Sequence, residues 1–306
     1  MDYLFLLAGL FGLLLGGEAL VRGSVGIAQR LSLSPLLIGL TVVGFGTSTP
    51  ELLVSVDAAW RGVPDIALGN VLGSNIANIL LIAGLSALIW PIRAGSTGIG
   101  RDLLVMIGAA LLLIPFFAMG QIGRVGGLIL CAGLVTYLVT VYRQAEPPAA
   151  GTVTPPAPGS AWLAGLTVLT GLAGLMLGAR LLVDGAVAIA RDHALSEAFI
   201  GLTIVAVGTS LPELATSLIA ALRRQSDIAI GNIVGSNIFN VLGILGLTAI
   251  ITPVPVASRF LVVDLPIVIG VSVLLGALLL GRRSIGRLAG FGMLLAYGAY
   301  VWAAQG

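Results

Sequence analysis

The chain has 306 residues, 58% hydrophobic and 9% charged, with a net charge of +2, a pI of about 9.0 and a mean hydropathy of +1.11. Globular domains carry about a quarter charged residues, so this composition excludes a soluble fold and points to a protein that crosses the bilayer repeatedly. All fifteen basic residues are arginines scattered singly or in pairs between apolar runs. They report topology in a lipid bilayer and form no nucleic-acid surface.

Apolar runs broken by arginine, proline or glycine predict helices over 3–28, 35–61, 66–89, 101–118 and 123–143, then 161–190, 197–222, 228–251, 260–280 and 286–303. The runs are continuous and do not alternate, which excludes a transmembrane barrel. Met1 to Gly17 has the length of a signal peptide, but no basic segment precedes its apolar run, so a retained first helix is expected. Forty-three glycines suit helices that approach closely in lipid.

Within these elements Glu18 and Arg22, Arg180 and Asp184, and Asp57 and Arg61 stand four residues apart and are expected to form local pairs. His193, the only histidine, falls in a predicted turn and is expected to be exposed. Cys131, the only cysteine, lies in an apolar run and is expected to be a buried, inert thiol.

Shifting the sequence by 162 residues aligns Gly9–Ile89 with Gly171–Ile251 without a gap, giving 45 identities in 81 positions. A duplication of that quality divides the chain into residues 1–143 and 161–306. Five helices per half is an odd number, so the second half enters the membrane from the opposite side. The expected fold is an all-α membrane protein of ten transmembrane helices in two inverted five-helix repeats. Its second, third, seventh and eighth helices are expected to be broken. Residues 144–160 hold five prolines and read as a short cytoplasmic linker. Nine arginines fall on one side of this topology (Arg30, Arg93, Arg101, Arg143, Arg223, Arg224, Arg282, Arg283, Arg287) and four on the other (Arg61, Arg124, Arg191, Arg259). The richer side is read as cytoplasm, in a cell inner (plasma) membrane, with both termini outside it.

Two polar motifs interrupt the apolar runs of each half. The first is Gly46-Thr47-Ser48-Thr49-Pro50-Glu51, repeated as Gly208-Thr209-Ser210-Leu211-Pro212-Glu213. Proline removes a backbone donor and clashes with the carbonyl one turn back, which frees oxygen ligands at membrane depth. A carboxylate in such a segment is costly and marks a function by default. The second motif runs from Gly69 to Asn78 and from Gly231 to Asn240. It sets Ser74 with Asn78, and Ser236 with Asn240, on one helical face each. Serine and threonine in membrane helices commonly bond a carbonyl one turn earlier, which is the expected role of Ser55 and Ser217. Carboxylate, hydroxyl, amide and freed carbonyl oxygens together form a donor set for hard cations. Two ionised carboxylates facing each other in a low-dielectric site repel, and one Ca²⁺, two Na⁺ or two H⁺ would neutralise them. An empty cavity carrying two charges crosses poorly and a loaded one does not, which is the behaviour of an exchanger.

These paired motifs resemble the calcium/cation antiporter superfamily, and within it the prokaryotic sodium/calcium exchangers, over essentially the whole chain. The resemblance implies that helices 1 and 6 slide past a core of helices 2, 3, 7 and 8. It further implies that Glu51 and Glu213 bind Ca²⁺ with the carbonyls of Thr47 and Thr209. Ser48, Ser210, Ser74 and Ser236, with the carbonyls of Gly44 and Ala206, would complete flanking Na⁺ sites, and Asn78 and Asn240 would line the centre. Many relatives carry aspartate where this chain has Asn240, which bears on proton coupling and ion choice. The function expected is electrogenic exchange of Na⁺ for Ca²⁺ by alternating access, carried out by a monomer without a cofactor and without enzymatic activity. The nearest rival is a proton/calcium antiporter of the same superfamily, and a cation channel lies further off. An intramembrane hydrolase using Ser48 or Ser210 has no histidine or lysine base near either serine.

Overall fold

A computed structural model describes residues 2–31, 33–93, 98–144, 161–192, 206–281 and 284–304. The helices are α1 (Asp2–Leu31), α2a (Pro35–Thr47), α2b (Thr49–Trp60), α3 (Pro64–Ile89), α4 (Ile99–Ala118) and α5 (Arg124–Arg143). The second half supplies α6 (Ala161–Asp192), α7a (Ala206–Thr209), α7b (Leu211–Leu222), α8 (Ser226–Ile251), α9 (Phe260–Gly281) and α10 (Arg287–Ala304). Seven of the described helices are long and apolar enough to cross a membrane, and α2a with α2b makes an eighth if counted as one bent span. His193, the start of the expected seventh helix and linker residues 145–160 lie outside the described residues.

The expected breaks occur where proline sits. Ser48 leaves helical geometry at φ −82°, ψ 9°, Pro50 follows in the first turn of α2b, and α2a meets α2b at 43°. Ser210 and Pro212 repeat this at φ −88°, ψ 7°. The expectation that the third and eighth helices are also broken is corrected. Both α3 and α8 are continuous, with π-helical turns over Asn78–Ile82 and Phe239–Leu245. Their glycines still donate an N–H, so the ladder stays closed, and each π turn only widens it by one residue.

The centre of the bundle is α8, which is almost wholly buried, followed by α3, which is mostly buried. Around them α2a packs against α8, and α7b packs against both α8 and the end of α3. At the edge, α1 and α6 form an antiparallel pair through glycine. A Cβ at Gly12 would lie 2.8 Å from the Cα of Gly178, and one at Gly16 would lie 2.6 Å from the backbone nitrogen of Leu175. Such backbone contact is how helices associate in lipid, where burial of apolar surface gives no net drive. Cys131, on α5, is half-buried and packs on Gly246 of α8.

Among the described residues, four two-residue strands lie at the ends of the helices. Ile92–Arg93 (β1) pairs antiparallel with Ser284–Ile285 (β4), and Gln121–Ile122 (β2) pairs antiparallel with Val254–Pro255 (β3). Each ribbon thus takes one strand from each half.

The local pairs of α2b and α6 form as expected, with Arg61–Asp57 at 2.8 Å and Arg180–Asp184 at 3.8 Å. Glu18 does more than pair with Arg22, because it is also gripped by Arg223 at the end of α7b. Arg223 and Glu18 are 40% and 26% exposed, against 72% and 60% for Arg61 and Asp57. A partly desolvated pair linking two helices is screened less than an exposed pair within one helix. Arg223→Gln should therefore lower the thermal midpoint of the purified protein at low salt, whereas Arg61→Gln, at the equivalent position of the other half, should not. Equal midpoints for the two variants would refute this difference.

Candidate functional site

The two proline breaks bring four short polar segments together inside the bundle. Glu51 and Glu213 are each 1% exposed. Ser48 Oγ donates to Glu213 Oε1 at 2.9 Å, and Ser210 Oγ donates to Glu51 Oε1 at 3.2 Å. Each acid is thus bonded by the serine that precedes the other acid, and the bonds cross between the two halves. The second oxygen of each carboxylate, Glu51 Oε2 and Glu213 Oε2, is buried without a hydrogen-bond partner. Among the described residues no arginine pairs with either acid.

Ser74, Ser236 and Thr47 bond to the segments that carry these acids or to their neighbours. Ser210 Oγ also lies 3.3 Å from Ser74 Oγ, and Ser236 Oγ donates to the carbonyl of Gly44 at 3.3 Å. Thr47 Oγ1 lies 3.0 Å from the Val43 carbonyl and 3.1 Å from Asn232 Oδ1. Asn78 and Asn240 are each 1% exposed, and the side-chain oxygen of each is unpartnered. Ala206 begins α7a and Thr209 ends it, immediately before the break.

Four asparagines that sequence reasoning did not single out complete the arrangement. Asn70 Nδ2 donates to the Glu51 carbonyl at 3.1 Å and to Ser55 Oγ at 2.9 Å, while Asn232 Nδ2 does the same to Glu213 (3.2 Å) and Ser217 (2.9 Å). Ser55 and Ser217 thus receive bonds from a neighbouring helix, a role different from the expected one. Deeper in, Asn240 Nδ2 donates to Asn75 Oδ1 at 3.0 Å, and Asn75 Nδ2 reaches the Asn237 carbonyl at 3.3 Å. Asn237 turns back to its own helix, donating to the Ile233 carbonyl at 2.6 Å. The signal that could have marked Asn70 and Asn232 was present: both are the second residue of the second motif and they are equivalent under the 162-residue shift.

Among the described residues, five buried side-chain oxygens on these four polar segments lack a partner: one from each glutamate and one each from Asn78, Asn237 and Asn240. Leaving a buried acceptor unsatisfied costs about 1–3 kcal/mol. A cluster of them with two carboxylates and no compensating cationic side chain has the chemistry of a site for hard cations. Among the described residues no cluster of three or more acidic, histidine or cysteine side chains occurs, so amide, hydroxyl and carbonyl oxygens would supply the rest of a coordination shell.

The family model described as "Sodium/calcium exchanger protein" matches residues 1–143 and 163–305. The chain belongs to the sodium/calcium exchanger family. Family membership makes it a membrane transporter and not an enzyme. The inner membrane protein YrbG of Escherichia coli strain K12 is 38% identical, over 98% of this chain and 95% of YrbG. The sodium/calcium exchanger MaX1 of Methanosarcina acetivorans is 30% identical, over 98% and 97%. Among solved structures, the sodium-calcium exchanger NCX_Mj soaked with Na⁺ and Sr²⁺ superimposes with a TM-score of 0.86 at 33% identity, covering 98% of this chain and 97% of that one.

Proposed function

We propose that this exchanger couples entry of Na⁺ to extrusion of Ca²⁺ by alternating access, holding the cations between Glu51 and Glu213. The observation that carries this reading is the crossed pair of Ser–Glu bonds, which leaves one oxygen of each buried carboxylate free for a ligand. The carbonyls of Thr47 and Thr209 would share the Ca²⁺. Ser48, Ser210, Ser74 and Ser236, with the carbonyls of Gly44 and Ala206, would serve flanking Na⁺ sites, and Asn78 and Asn240 would line the centre. The names of MaX1 and NCX_Mj, both sodium/calcium exchangers, support Na⁺ as the counter-ion.

Ten spans in two inverted halves, 1–143 and 161–306, joined by a cytoplasmic linker at 144–160, suit this mechanism. The ribbons support the inversion. β1 and β2 flank the 20-residue α4, which is about 30 Å long, so they lie at opposite ends of it. Their repeat equivalents are β3 and β4, yet β1 pairs with β4 and β2 with β3. That exchange supports a second half that runs upside down relative to the first. Transporters built in this way bind at the midplane and rock one unit against the other. The name of YrbG and the arginine distribution support an inner-membrane location with the termini outside the cytoplasm, and a monomer contains both halves of the site.

The test is Ca²⁺ flux in proteoliposomes of the purified protein. A Na⁺ gradient at equal pH on both sides should drive uptake that saturates and stops when Na⁺ is replaced by choline. Uptake that follows a pH gradient alone would establish proton/calcium exchange in its place, and flux without any counter-ion would establish a channel.

A further inference from the structure

Asn70 and Asn232 have no role in the ion cage proposed above, yet every polar atom of their side chains is used. Asn232 is fully buried, and its amide nitrogen holds the Glu213 carbonyl and Ser217 Oγ within its own half. Its oxygen faces the other half and lies 3.1 Å from Thr47 Oγ1, whose one proton it shares with the Val43 carbonyl at 3.0 Å. The residue after Thr47 is Ser48, whose hydroxyl bonds the Glu213 carboxylate at 2.9 Å. The circuit closes on itself: the Glu213 backbone, Asn232, Thr47, Ser48 and back to the Glu213 side chain. The mirror circuit is also present, since Asn70 holds the Glu51 carbonyl and accepts from Thr209 Oγ1 at 3.4 Å, while Ser210 bonds the Glu51 carboxylate at 3.2 Å.

An asparagine serving only as interhelical glue bonds whatever polar group a neighbour offers. Here, in both halves, the amide selects the peptide of the acid on one side and the helix break of the opposite half on the other. We infer that Asn70 and Asn232 are positioning residues that fasten each glutamate to the hinge of the opposite repeat, so that cation binding at the carboxylate and bending at Thr-Ser are one event. The inference rests on the reading that cations bind between Glu51 and Glu213. It explains how occupancy is communicated to the breaks at Ser48 and Ser210 without a charged side chain between them. A ligand that draws Glu213 towards itself must carry Ser48 with it, and Asn232 makes Thr47 follow. Members of a buried hydrogen-bond network are coupled, so deletion of one is felt by the others.

The test reads Ca²⁺-dependent thermal stabilisation of the purified full-length protein, in which the midpoint without Ca²⁺ reports folding and the half-stabilising Ca²⁺ concentration reports the site. Thr47→Val removes the hydroxyl that Asn232 accepts but keeps the Thr47 carbonyl and the shape of the side chain. It should raise the half-stabilising concentration about tenfold, as expected for loss of one buried hydrogen bond. Asn232→Leu should do the same. Effects of residues acting through a shared contact do not add, so the double variant should remain near the single-variant value and not reach about a hundredfold. Ser217→Ala, which touches Asn232 but neither the hinge nor a carboxylate, should stay within about threefold, because Asn232 keeps its bond to the Glu213 carbonyl. If Asn232→Leu does not fold, Thr47→Val and Ser217→Ala still decide the matter: a wild-type Ca²⁺ dependence in Thr47→Val, or equal effects of the two, overturns the inference. Additive effects in the double variant overturn it as well. Absence of Ca²⁺ stabilisation in the wild-type protein would instead overturn the function proposed above.

Discussion

Glu51→Gln and Glu213→Gln should each abolish Na⁺-driven ⁴⁵Ca²⁺ uptake into proteoliposomes. Glutamine matches glutamate in size and can still accept from Ser210 or Ser48, so the crossed bonds and the fold should survive. What is lost is one negative charge in a site where both acids are 1% exposed. With both carboxylates ionised, a bound Ca²⁺ is neutralised; with one, a net positive charge is buried in low dielectric, which costs several kcal/mol. Each 1.4 kcal/mol is a factor of ten in affinity, so uptake should fall by at least about a hundredfold at a fixed Ca²⁺ concentration. The two variants should be equally impaired, because the crossed geometry gives the acids matching roles. Wild-type uptake by either one, with gel filtration showing a folded protein, refutes the assignment of the cage.

The duplicated acids were legible because proline and glutamate are rare inside apolar runs and because the shift of 162 residues repeats them in register. The breaks at Ser48 and Ser210 followed from the same prolines by local chemistry. The third and eighth helices stay whole where breaks are expected: Gly69, Gly73, Gly231 and Gly235 cost a helix only about 1 kcal/mol each and still donate their N–H. The roles of Asn70 and Asn232 were illegible because they depend on which hydroxyl of the opposite half faces each amide. Arg223 meets Glu18 across 205 residues, beyond any local spacing rule. The departure from symmetry at Asn75 and Asn237 was also hidden. Both lie in Gly-Ser-Asn-Ile, but the next residue is Ala77 in one half and Phe239 in the other, and Phe239 packs against Phe45 with ring centroids 4.4 Å apart.

Gly235→Ala should damage both stability and ion binding, because this glycine sets the distance between α8 and α2a. A Cβ at position 235 would lie 2.4 Å from the Leu40 carbonyl oxygen and 2.8 Å from the Leu40 Cα. Both are backbone atoms of a helix, so no rotamer change relieves the clash and the two helices must separate. Overpacking of this kind costs about 1–3 kcal/mol. The neighbouring Ser236 reaches the Gly44 carbonyl at 3.3 Å, already near the limit for a hydrogen bond, so a separation of about 0.5 Å breaks it. The variant should therefore show a lower thermal midpoint together with a higher half-stabilising Ca²⁺ concentration. Gly270→Ala in α9 is the control, since its Cβ would meet nothing within 4 Å. There the better helix propensity of alanine should leave the midpoint unchanged or slightly raised. A Gly235→Ala protein with the wild-type midpoint and Ca²⁺ dependence would show that the spacing of α2a and α8 does not govern the cage.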